Sequence, residues 1–167
     1  ASVFALNGNR TCLLEFDLRR PKIHQEFTSN NMIGISSFLI DKAILEDIIL
    51  PTQIENLDFM PAGPAAPNPA ELINSERTAE LMDKLREMYD YIVIDSAPAG
   101  LLTETHVLMK YADLNVLVAR LDKTLKEGFR QTLKSIRANG FNNLSLIIND
   151  IIINRESYRY GYDKKYY

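Results

Sequence analysis

The chain has little of what would assign it quickly. It holds one cysteine, Cys12, in 167 residues. One thiol cannot build a disulfide framework, and a reducing compartment suits it. No run approaches the roughly 20 apolar residues that span a bilayer. The opening residues, ASVFALNGNR, have no basic region ahead of their apolar part, so they make a poor signal peptide. Positive charge is not in excess: the net is −3, which speaks against nucleic acid as a partner. The two histidines, His24 and His106, stand apart from any Cys or acid at metal-ligand spacing, which argues against zinc. Ser96 lacks a G-x-S-x-G elbow, which argues against a hydrolase nucleophile.

What remains is ordinary material for one domain. Apolar residues make up 46% and charged residues 25%. Four continuous apolar runs read as buried strands: TCLLEF (11–16), YIVID (91–95), LNVLVA (114–119) and LSLIIND (144–150). NLDFMPAG (56–63) is a weaker fifth. Apolar residues recur at helical spacing over 75–88 and 124–139, and Gly140 supplies a stop. GISSFL (34–39) and LEDII (45–49) are shorter helical pieces, and Pro67 to Pro69 can open a helix over AELINS. Strand and helix alternate, which predicts an α/β fold with a largely parallel sheet and helices on both faces. The expected division is a domain over 1–150 and a flexible tail over 151–167.

Ligands of open α/β sheets bind beyond the carboxyl ends of the strands. Two strands here end in acid: LLEFDLRRP carries Glu15 and Asp17, and YIVIDSAP carries Asp95. A strand ending in Asp, then small residues and Pro, has the shape of a Walker B segment that serves Mg²⁺ on a nucleotide. Asp95 also fits a plain helix cap. Two such strand ends in one βαβ pattern tilt the reading toward a metal–phosphate site. Arg19 and Arg20 fit stabilisation of phosphoryl charge, a contact between subunits, or simply a solvated pair. No G-x-x-x-x-G-K-[ST] loop occurs in the chain. The first residues read as the end of a helix stopped at Gly8, so the first strand and its phosphate loop are expected upstream of Ala1.

The tail is the other unusual feature. Five of the eight tyrosines, Tyr158, Tyr160, Tyr162, Tyr166 and Tyr167, fall in the last ten residues. From Ile151 onward Arg155, Arg159, Lys164 and Lys165 outnumber Glu156 and Asp163, so the tail is net +2. Burying five phenols at a terminus would need five hydrogen-bond partners. A flexible substrate that reaches another active site fits better than a core element, and an adhesive aromatic end is the alternative. Tyr89 and Tyr91, beside a strand, read as packing residues.

LLEFDLRRP resembles the Walker A′ segment of the bacterial protein-tyrosine kinases that accompany capsule and exopolysaccharide export. YIVIDSAPAG resembles their Walker B, MPAGPAAPNPAELINSE (60–76) their Gly-Pro-x-x-Pro-Asn-Pro-x-Glu-Leu-Leu segment, and the tail their tyrosine cluster. The resemblance implies a P-loop NTPase-type fold related to the MinD/ParA ATPases. It implies ATP and Mg²⁺ as cofactors and autophosphorylation of the tail in trans. Implied partners are further copies in a ring, a membrane co-polymerase that activates the kinase, and a tyrosine phosphatase. The implied place is the cytoplasmic face of the plasma membrane. By resemblance, Asp17 and Asp95 hold Mg²⁺, and Glu15 stands where the family has an Asp that can accept the tyrosine proton or hold a metal-bound water. Asn149 and Asp150 stand where relatives contact adenine, and a turn role also suits that pair. Without the Walker A loop, these 167 residues alone are expected to bind ATP poorly. Two other readings are a non-catalytic regulatory module of the same fold and a MinD/ParA-type ATPase.

Overall fold

The apolar run after Arg10 becomes the central strand of a four-stranded sheet. The computed structural model describes residues 1–28, 31–99 and 103–151. They form two compact units, Ala1–Ala112 and a second beginning at Asp113. In the first, β1 (Thr11–Glu15) lies between β3 (Leu57–Met60) and β4 (Tyr91–Asp95), parallel to both. A two-residue strand, β2 (Leu50–Pro51), runs antiparallel along the outer edge of β3. The order is β2-β3-β1-β4.

Helices follow from the intervening patterns. They are α1 (Ser2–Leu6), α2 (His24–Phe27), α3 (Ile35–Leu39), α4 (Leu45–Ile48), α5 (Pro69–Ile73), α6 (Glu76–Met88) and α7 (Thr103–Met109). The longest, α6, turns Thr78, Leu81, Met82 and Leu85 inward at steps of three and four, as its apolar stripe requires. Leu81, Met82 and Leu85 join Cys12, Leu14, Phe16 and Leu18 from β1 and its extension, with Ile35 and Phe38 from α3, in one core. Each large apolar side chain buried there stabilises by about 1.5–3 kcal/mol. Pro69 opens α5 at the first helical position, where its missing N–H costs nothing. Tyr89 and Tyr91 are engaged in packing, as the sequence suggests: the Tyr89 hydroxyl donates to Asp58 at 2.8 Å, and Tyr91 stacks on Phe4 with ring centres 4.2 Å apart.

The second unit is a βαβ unit of two parallel strands with a helical crossover. β5 (Asn115–Arg120) pairs in register with β6 (Leu144–Asn149), joined by α8 (Lys126–Ala138). Gly140, at φ 84°, ends α8: its N–H reaches the Arg137 carbonyl and that of Phe141 reaches Ile136, a Schellman arrangement. Val116, Val118, Leu146, Ile147 and Ile148 are exposed, so the expectation of strands covered on both faces describes β1 and β3 but not this unit. Among the described residues no helix is long and apolar enough to cross a membrane.

One close approach fixes the loop beyond β3. The N–H groups of Ile35 and Ser36 donate to the carbonyls of Pro61 and Ala62, each at 2.8 Å. A Cβ on Gly34 would lie 2.3 Å from both the Gly63 nitrogen and the Pro61 carbonyl oxygen, backbone atoms that have no freedom to yield. Gly34→Ala should therefore destabilise the protein by about 2 kcal/mol or more, seen as a lower denaturant midpoint. An unchanged midpoint would contradict this packing.

Candidate functional site

Register brings the acids together. Glu15 and Asp95 are cross-strand partners at the carboxyl ends of β1 and β4, and the Phe16 N–H donates to the Asp95 carbonyl at 2.8 Å. Asp17 follows two residues beyond. Its Oδ1 accepts the backbone N–H groups of Arg19 and Arg20, both at 3.1 Å, in an Asx-type turn that orients the carboxylate. Nothing among the described residues donates to its other oxygen.

Asp95 is partly buried, and no cation among the described residues pairs with it. Burial first, then the negative charges of Asp17 and Glu15, push its carboxyl above the ordinary value. Glu15 is fully buried and differently placed. Its Oε1 accepts the His24 N–H at 3.1 Å, its Oε2 accepts the Ala62 N–H at 3.2 Å, and the His24 ring Nδ1 lies 3.3 and 3.2 Å from the two oxygens. His24, isolated in the sequence, is thus held to an acid nine residues away.

Arg19 is not a free surface cation. Its Nε donates to Oε1 of Glu104, 2.6 Å away and buried in the first turn of α7. Burial pushes the Glu104 carboxyl up, but the Arg19 hydrogen bond, a backbone bond and the Arg19 charge together bring it below the usual range. Glu104 escaped the sequence reading because no local pattern links it to Arg19, 85 positions away. Arg20 is exposed.

Asn149 and Asp150 belong to the second unit. Asn149 ends β6, and Asp150, at φ 60°, accepts from Arg120 Nε at 2.6 Å. Arg120 ends β5, so this pair ties the two strand ends together. Tyr158, Tyr160, Tyr162, Tyr166 and Tyr167 lie outside the described residues.

The comparisons with known proteins agree with one another. A family model described as an AAA domain matches residues 1–148. The chain is 32% identical over 162 residues to the tyrosine-protein kinase YwqD of Bacillus subtilis, covering 97% of this chain and 68% of that protein. The chain belongs to the bacterial tyrosine-protein kinase family. To the tyrosine-protein kinase Wzc of Salmonella typhimurium it is 33% identical, over 97% of this chain but only 23% of that protein. Among solved structures, the chimerical protein CapA2B2 superposes with a TM-score of 0.86 at 32% identity, over 90% of this chain and 67% of that one. The septum site-determining protein MinD of Pyrococcus horikoshii, solved with Mg-ADP, shares the fold at a TM-score of 0.67 and 23% identity, over 87% of this chain and 58% of that one. The fold is therefore a P-loop NTPase fold of the kind these kinases use.

The donor set fits Mg²⁺. No group of three or more His, Cys, Asp or Glu among the described residues is arranged to hold a metal alone. Mg²⁺ on a nucleotide needs less: one or two carboxylates, with phosphates and waters completing the octahedron. Asp17, with an open oxygen, and Asp95, in uncompensated negative surroundings, offer that.

The raised Asp95 carboxyl has a measurable consequence. Below its ordinary value of 3.8 the acid is protonated folded or unfolded, and its burial is harmless. As pH rises through the higher folded value, the folded state must bury a charge and loses stability. Without metal, Asp95→Asn should raise the denaturant midpoint at neutral pH, and the gain should vanish toward pH 3.8. A gain that is constant with pH would contradict the assignment.

Proposed function

We propose that this chain is the core of an ATP-dependent protein-tyrosine autokinase whose substrate is the tyrosine cluster 158–167 of a neighbouring copy. The observation that carries the reading is the meeting of two carboxylates beyond the sheet: Asp17, two residues past the end of β1, and Asp95, at the end of β4, lie close enough for the Asp17 charge to raise the Asp95 carboxyl, in a chain that also ends in five tyrosines. Mg-ATP, when bound, supplies the phosphoryl group and its charge neutralisation. Asp17 and Asp95 hold the metal. Arg19, fixed by Glu104, and Arg20 place positive charge beside the acids, where it offsets phosphoryl charge or meets a neighbouring subunit.

The relatives' association with capsule and exopolysaccharide supports a role in regulating polymer export at the cytoplasmic face of the membrane. The expected partners are a ring of copies, a membrane activator and a phosphatase. The lack of a G-K-[ST] loop in these residues also keeps open a non-catalytic module of the same fold. The test is to incubate the full-length protein with Mg-ATP and map phosphate by mass spectrometry. Phosphate should appear within residues 158–167, and Asp95→Asn should lower the rate by about 10²-fold or more. A tail that stays unmodified under these conditions would overturn the reading.

A further inference from the structure

The three strand-end acids do not share one environment, and the difference assigns Glu15 a task of its own. Asp17 keeps one oxygen open, and Asp95 has no pairing cation among the described residues. Glu15 is 0% exposed, and both of its oxygens are committed. A buried carboxylate must be satisfied by N–H donors, and here three supply it: the His24 amide, the His24 ring and the Ala62 amide. A carboxylate only accepts, so the ring nitrogen facing it, Nδ1, carries the proton. These donors take up most of the acceptor positions of the two oxygens, and with Glu15 closed to solvent a tyrosine hydroxyl or a metal-bound water could reach it only if the surrounding segments moved aside.

The donors come from two segments that border the strand ends. His24 opens α2, in the stretch that follows Asp17, Arg19 and Arg20. Ala62 sits in the turn after β3, at the head of the proline-bearing stretch 61–69. That turn is pinned from its other side as well. Asn31 brackets Gly63, its Nδ2 donating to the Gly63 carbonyl at 2.8 Å and its Oδ1 accepting the Gly63 N–H at 2.9 Å. Ser36 Oγ donates to the Pro64 carbonyl at 2.9 Å, and the Ala66 N–H reaches the Leu18 carbonyl at 3.3 Å. Gly63, at φ 80°, adopts the left-handed turn that makes this bracketing possible. Glu15 is the only acidic side chain among the described residues that bonds to both segments.

We propose that Glu15 and His24 are positioning residues. Together they clasp the α2 segment and the 61–64 turn beside Asp17 and Asp95, where the tyrosine substrate is received. Glu15 then does not accept the tyrosine proton. Its longer side chain, compared with Asp, is what lets a strand-end acid span to two loops at once. The proposal rests on the kinase reading above, so its test has one readout that needs activity and one that does not.

The activity readout uses the full-length protein, Mg-ATP and a peptide of residues 157–167. His24→Ala and Glu15→Gln should each raise the peptide KM about tenfold, the scale of one lost hydrogen bond to a charged group, while kcat falls less than tenfold. His24→Asn places a side-chain N–H near the lost Nδ1–H and should restore the KM. The double variant Glu15→Gln/His24→Ala should be little worse than either single one, because the two act as a unit. A proton-accepting Glu15 would instead show a kcat loss of about 10²–10⁴-fold in Glu15→Gln with KM unchanged, and no effect of His24→Ala. That pattern overturns the proposal.

The second readout is amide hydrogen exchange. In Glu15→Gln the His24 or Ala62 amide should exchange about tenfold faster while the amides of β1 keep their protection. Unchanged exchange at both sites overturns the clasp even if the enzyme is active. If the wild-type protein phosphorylates no tyrosine, the kinase reading fails, and the exchange result still decides the clasp.

Discussion

The in-register parallel pairing of β1 with β4 is the constraint on which the first unit depends. It runs from Thr11 opposite Tyr91 to Glu15 opposite Asp95. A slip of one residue would turn Cys12 and Leu14 out of the core and carry the acids to different faces, since side chains alternate along a strand. The cost of leaving Leu14, Phe16 and the α6 stripe unburied therefore fixes the position of the carboxylates. Apolar packing sets the geometry, and the polar chemistry sits at the end of the strands because the covered faces of β1 and β3 leave no room for it along their length.

That geometry sets negative charges close together without pairing all of them. Glu15 is relieved by N–H donors, and Glu104 is relieved by Arg19. Asp95 is not relieved, and its carboxyl is raised as a result. Sites that bind a cation commonly carry this kind of local instability, because the apo protein holds a charge arrangement suited to the bound state. The contrast between Glu15 and Asp95, cross-strand partners, shows that adjacency in the sheet does not give equal chemistry.

Much of the fold was legible in the sequence. The runs at 11–16, 91–95, 114–119 and 144–150 became strands shifted by at most a residue at their ends, because continuous apolar residues have few other places to go. The long helices were legible from spacing, and Gly140 from its stop chemistry. β2 was not, since two residues including Pro51 carry no pattern, nor was α2, whose four residues lack an apolar period. The site was half legible. Asp17 and Asp95 stand out because acid at the end of an apolar strand is conspicuous. Glu104 and the Glu15–His24 contact were hidden, because those partners are chosen by tertiary packing and no spacing rule reaches them.

The proposed metal–nucleotide site of Asp17 and Asp95 can be tested without catalysis. Mn²⁺, a spectroscopic substitute for Mg²⁺, tests it directly. Its binding to the full-length protein in the presence of ADP can be followed by electron paramagnetic resonance, in the wild type and in Asp17→Asn. If the two acids hold the metal, the Mn²⁺ affinity falls at least about tenfold in the variant while the fold is retained. An affinity that does not change when Asp17 loses its charge would contradict it.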